Sequence, residues 1–92
     1  MALRMEWSIV GPFSGLAGQS VRDVEDAVWW VNDTVTQIRE YANLTPFESE
    51  QLGESARLMC ARMLDEADSA TSRGEQWSAT VGLISMTLTP IV

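Results

Sequence analysis

The sequence predicts an α+β domain in which an antiparallel helical hairpin packs on a small sheet formed by the two terminal strands, in the order strand, helix, helix, strand. Three observations predict it: strict apolar–polar alternation near the N-terminus, two consecutive stretches with three-four apolar spacing, and renewed alternation near the C-terminus. The alternative is a mainly α chain whose last segment is helical. All 92 residues fit a single domain, and a chain of this length buries only roughly 60–70% of the surface its unfolded form exposes.

Leu3, Met5, Trp7 and Ile9 alternate with Arg4, Glu6 and Ser8, so residues 3–10 read as a half-buried strand. Gly11, Pro12, Ser14, Gly15 and Gly18 break the pattern and read as a loop. Ser20 followed by Asp23 has the form of a capping box with Asp in place of Glu, which predicts a helix from Val21. Its seam is Val21, Val24, Val28, Val31, Val35, Ile38 and Ala42. Valine and threonine are modest helix formers, so this helix needs a packing partner.

Thr45, Pro46 and Glu48 supply an N-cap, a proline at the first helical position and a capping-box acid, predicting a second helix from Pro46. The short turn at Asn43 and Leu44 sets the two helices side by side and antiparallel. Leu52, Ala56, Met59, Met63, Ala67 and Ala70 form the matching seam, and Arg73 with Gly74 ends the helix. From Trp77 the alternation Trp77, Ala79, Val81, Leu83 shifts register to Ile84, Met86, Leu88, which predicts a strand with a bulge or bend. Trp77, Val81, Ile84 and Leu88 also fit a helix by spacing, but the threonines, the valine, Gly82 and Pro90 favour strand. A sheet of only two strands is marginal in water, so dimerisation is expected.

Thirteen acidic against six basic residues give a net charge of −7, which disfavours direct binding to nucleic acid or to an anionic membrane surface. No apolar run reaches the roughly 18–20 residues that span a bilayer, and no secretory signal is seen, so a cytoplasmic location is expected. Histidine is absent, which removes the commonest general base and metal ligand. Cys60 lies among Leu58, Met59, Ala61, Met63 and Leu64 and reads as a small buried apolar residue. The acidic clusters Asp23, Glu25, Asp26 and Asp65, Glu66, Asp68 sit on helical turns, unlike the ligands of a calcium loop, and read as solvated faces. The glycines fit no phosphate-binding fingerprint. No catalytic residue, cofactor or metal is therefore expected, and the chain is read as a non-enzyme.

Four tryptophans stand out in a chain this short. Trp29 and Trp30 are adjacent on the first helix and point about 100° apart, so both cannot face the seam. Trp30 borders the seam beside Ala27 and Thr34, whereas Trp29 lies farther round, either exposed or covered by the strands. Trp7 and Trp77 read as core. The candidate interface is Trp29, Trp30, Glu25, Asp26 and Asp33, because large aromatics at a surface mark contacts between proteins. The expectation is a homodimeric or larger protein-binding adaptor, regulator or inhibitor, acting through an acidic helical surface and an aromatic patch on a protein partner, basic in one version. Its rivals are a structural homo-oligomer joined at strand edges and an acidic decoy for the basic groove of a nucleic-acid-binding protein.

Overall fold

The computed structural model describes residues 2–9 and 15–91. The elements are β1 (Leu3–Ile9), β2 (Gly15–Val21), α1 (Val24–Tyr41), α2 (Pro46–Arg62), a π-helical turn (Met63–Ala67), α3 (Asp68–Ser72), β3 (Trp77–Val81) and β4 (Ile84–Pro90). The fold is α+β, with strands flanking a helix pair, and α2, the π turn and α3 run on as one long second helix. The residues after Trp77 pair as strands, so the helical alternative for them is wrong.

The sheet is antiparallel with four strands in the order β2-β1-β4-β3, so each end of the chain contributes a hairpin rather than a single strand. Where the sequence suggests a loop through Gly15 and Gly18 and a helix from Val21, the chain instead runs as β2, with Ile9 opposite Gly15 and Leu3 opposite Val21. Glycines hide this strand because they add no side chain to an alternating pattern. Val10, Gly11, Pro12 and Ser14, read as strand end and loop, lie outside the described residues. At the other end, the shift of register is a two-residue turn and not a bulge: Val81 faces Ile84 across Gly82 and Leu83. Gly82 has φ +57° and Leu83 is not left-handed, which fits a type II′ hairpin with glycine at its first central position.

β1 and β4, nearest the two ends of the chain, are the central pair and align from Leu3 opposite Pro90 to Ile9 opposite Ile84. Both therefore have neighbours on each side, and the weakness expected of a two-stranded sheet does not arise. Opposed residues share a face, so one face carries the rows Met5, Leu88, Trp77, then Trp7, Met86, Ala79, then Ile9, Ile84, Val81. The helices cover this face. α1 contributes buried Val24, Ala27, Val31 and Val35, and the second helix contributes Leu52, Ala56, Met59, Met63 and Ala67. Val28 and Ile38 of the expected seam are only half-buried, and Val21 is buried from β2. Met5, Met59, Met63 and Met86 are all buried, and their flexible thioethers suit the irregular gap between a twisted sheet and two helices. The other sheet face is polar, with Arg4, Glu6, Ser78 and Thr80 exposed.

Local chemistry fixes the helix ends. Thr45 Oγ1 accepts from Glu48 N–H and Glu48 accepts from Thr45 N–H, the capping box read in the sequence. The first helix is capped by Asp23 rather than Ser20: its carboxylate accepts from Asp26 N–H at 2.8 Å. Ser20 is part of β2, paired with Arg4. The long helix is tied to the sheet by Ser55, whose buried hydroxyl donates to the Gln51 carbonyl (2.8 Å) and accepts from Leu83 N–H (3.1 Å).

Ser55 and Gly82 test this junction. Ser55→Ala leaves Leu83 N–H without its acceptor and should lower stability by about 1–3 kcal/mol. Gly82→Ala should lower it by more, because the added methyl overlaps Ser55 Oγ and alanine is strained at this φ. Urea midpoints measure both, and an unchanged midpoint for either would contradict the junction.

Candidate functional site

Successive helical residues advance by about 100°, which sorts α1 into two faces. The buried residues Val24, Ala27, Val31 and Val35 fall on one side. Glu25, Trp29, Asp33, Asp26 and Trp30 fall within an arc of about 140° on the other side. Trp29 points nearly opposite the core and is 57% exposed, whereas Trp30 lies at the boundary and is 37% exposed. Of the two placements left open by the sequence, exposure is the observed one. Trp7 and Trp77 are buried in the sheet, at 5% and 8%.

The two exposed indoles pack edge to face, with ring centroids 5.0 Å apart and planes at 90°. They border an open cleft of about 510 Å³ whose other walls are Arg22, Asp23, Glu25 and Asp26. Adjacent residues on a helix diverge, so such a contact requires both side chains to lean together across the surface. An aromatic pair in this geometry is worth about 0.5–1.5 kcal/mol beyond its burial, at the lower end when exposed as here.

The helix start holds the acidic wall of the cleft. Asp26 Oδ2 accepts from Arg22 N–H at 3.0 Å and lies 3.8 Å from Arg22 Nε, while Asp23 caps the helix. Two of the three carboxylates are thereby fixed by the backbone. The Glu25 carboxylate makes no hydrogen bond or ion pair among the described residues. Asp33 is on the same face one turn on, but its carboxylate accepts from Gln37 Nε2 at 2.9 Å and it does not line the cleft. The structure thus brings together Glu25, Asp26, Trp29 and Trp30, adds Arg22 and Asp23, and leaves Asp33 outside. Arg22 and Asp23 are missing from the expected interface: Asp23 reads as a capping-box acid inside a helix begun at Val21, whereas it is the N-cap of a helix that starts three residues later, at Val24.

Cys60 and Glu66, the other groups of possible chemical interest, are engaged within the fold. Cys60 is buried, its Sγ lies 3.7 Å from Asn32 Oδ1 across the helix pair, and burial pushes its thiol pKa up. Glu66, in the second acidic cluster, pairs with Arg62 at 3.1 Å and accepts from buried Trp77 Nε1 at 3.5 Å. The Arg62 hydrogen bond first, and the Trp77 one more weakly, hold its carboxyl below the usual range against some desolvation. Among the described residues no three of His, Cys, Asp and Glu converge as metal ligands. A smaller hollow of about 310 Å³ lies along the outer sheet face among Glu6, Ser8, Ser78, Thr80, Ser85 and Thr87. A hydroxyl-rich outer face is ordinary for a half-solvated antiparallel sheet and carries no charge pattern.

Two measurements check this assignment. Trp29→Ala should change the unfolding free energy by less than about 1 kcal/mol, as for an exposed side chain, while Trp77→Ala should lower it by about 3–5 kcal/mol. Comparable losses for both would place Trp29 in the core. Iodoacetamide should label Cys60 at least about tenfold faster in urea than in the folded protein, since the buried thiol is both shielded and held protonated; equal rates would contradict its burial. Comparison of the chain with protein-family models, with curated proteins and with solved structures finds no match.

Proposed function

We propose that the protein is a non-enzymatic protein-binding module, an adaptor, regulator or inhibitor, and that its contact surface is the outward face of α1 centred on Trp29 and Trp30. The observation that carries this reading is the mutually packed pair of exposed tryptophans on α1, Trp29 nearly opposite the core and Trp30 at its boundary. Burying one large aromatic side chain contributes about 1.5–3 kcal/mol, and folding leaves most of that gain unused at Trp29. Tryptophan is also the residue type most enriched among side chains that dominate binding energy.

A contact of ordinary size covers about 800 Å² on each partner, against a total surface of 5500 Å². The tryptophan pair alone is too small for this. A partner would extend along α1 toward Asp33 and Gln37 and across the cleft wall at Arg22, Asp23 and Glu25.

Self-association through strand edges is the second reading, favoured by one observation: β2 and β3 each have an unpaired side in the sheet order. β3 has only five residues and short edges resist pairing, but β2 offers an edge of seven; the α1 face is preferred because it carries the exposed tryptophan pair. The decoy reading has less support, because five of the six arginines are interleaved with acids as ion pairs instead of leaving one unbroken acidic face.

The test compares the wild-type protein with Trp29→Ala/Trp30→Ala as bait in a lysate of the source organism, after circular dichroism shows equal helix content. A partner retained by the wild type and lost by the double variant is the expected result. Retention of the same proteins by both would overturn the proposal. Light scattering on the bait separates the second reading, since a monomer at high concentration removes a strand-edge oligomer.

A further inference from the structure

The cleft beside the tryptophans has a chemistry more specific than apolar adhesion. Two indoles line it at right angles with centroids 5.0 Å apart, so the edge of one ring covers part of the other's face, and what the cleft offers a ligand is the indole surface this contact leaves uncovered. Indole faces carry the negative side of the ring quadrupole and attract cations, more strongly where the contact is desolvated. The remaining walls carry three carboxylates, Asp23, Glu25 and Asp26, against one guanidinium, Arg22. Even after adding the roughly half unit of positive charge at the start of a helix, the wall stays negative by about one and a half units. An anion drawn to that helix end would face three carboxylates, and a neutral apolar group would desolvate Glu25 without compensation.

The protein does not fill the corner itself. Arg22 is turned toward Asp26, and among the described residues no arginine stacks on either indole. Asp23 and Asp26 are committed to the helix start, so they hold their positions when a ligand arrives, while Glu25 keeps its oxygens free. The cleft is open on its outer side and shallow, which suits a side chain projecting from a partner's surface better than an enclosed small molecule.

We infer that the Trp29–Trp30 corner receives a cationic side chain, lysine or arginine, from a basic segment of a partner protein, with the indoles supplying cation–π contact and Glu25 the charge-paired carboxylate. This inference rests on the reading of the α1 face as a partner-binding surface and names what that surface recognises. Arginine suits the corner best, because its planar guanidinium can stack on one indole while its edge donates to a carboxylate. The binding also depends on salt, since the charges lie at the surface and are screened at physiological ionic strength within about 8 Å.

The test titrates the full chain, labelled with 15N, with a hexa-arginine peptide and with the hexacitrulline peptide of the same shape and no charge, following the four indole N–H resonances. The expected result is a saturable shift of the Trp29 and Trp30 signals with hexa-arginine, with Trp7 and Trp77 unmoved and no response to hexacitrulline. Glu25→Gln should weaken the binding by about fivefold, equivalent to about 1 kcal/mol, and Trp29→Ala should abolish the saturable part. Equal binding of hexacitrulline would overturn the cation inference while leaving an apolar partner surface in place. Hexa-arginine binding that survives Trp29→Ala/Trp30→Ala, read from the backbone amides of Arg22–Asp33 because the two reporter indoles are gone, would also overturn it, by showing attraction to general acidity. Absence of any shift would overturn it as well, and the bait experiment then judges the partner surface separately.

Discussion

Pairing of β1 with β4 is the interaction on which the rest of the molecule depends. These strands come from opposite ends of the chain, and closing a loop of about 80 residues costs about 4 kcal/mol in chain entropy. The pairing sets Met5, Trp7 and Ile9 beside Leu88, Met86 and Ile84 on one face, where all six are buried. Each such side chain contributes about 1.5–3 kcal/mol when fully buried, so two or three of them offset the closure. Without this central pair the ends would be two separate hairpins, each marginal alone, and neither helix would have a surface to cover.

That surface determines what α1 can do. One stripe of the helix, from Val24 to Val35, is consumed in covering the sheet and meeting α2. The second helix extends through the π turn and keeps Met63 and Ala67 in the core, while Ser55 pins it to the β3–β4 turn. Both helices lie on the same side of the sheet, so nothing in the described fold covers the outer stripe of α1. Trp29 stands on that stripe, beside Glu25 and across from Val31. The core has no use for it there. An exposed tryptophan pair offers little to stability and invites unwanted association, which makes its presence beside carboxylates more readily explained by recognition than by folding.

The helices were legible in the sequence because their signals are local and redundant. Thr45, Pro46 and Glu48 fix the start of α2 independently of its seam, and Leu52, Ala56, Met59, Met63 and Ala67 are all buried as their spacing implies. β1 was legible because a strand with one wet face alternates without interruption. β2 was not, since Gly15 and Gly18 erase the alternation and its order comes from pairing with β1, which no local pattern reveals. With β2 invisible, Ser20 takes the place of the helix cap and Val21 that of the first helical residue, so Asp23 looks like a capping-box acid and not the N-cap at the edge of the cleft. At the C-terminal end the sequence shows the shift of register between Leu83 and Ile84 but not its cause: a bulge or bend in one strand and a two-residue hairpin turn leave the same apolar pattern, and only the pairing of Val81 with Ile84 separates them. Helical angle alone separates Trp30 at the seam's border from Trp29 farther round; whether Trp29 is exposed or covered depends on which side of α1 the sheet lies.

The measurement that bears most directly on this arrangement is residue-resolved hydrogen exchange of the backbone amides together with the four indole N–H groups. A sheet closed by β1 and β4 around a covered face requires the slowest amides to lie in those two strands and the Trp77 indole, bonded to Glu66, to exchange slowly. The Trp29 and Trp30 indoles should exchange at near the rate of free tryptophan. Amides of β1 and β4 exchanging faster than those of β2 and β3, or a Trp29 indole as protected as Trp77 in the monomer, would contradict both the central pairing and the free face built on it.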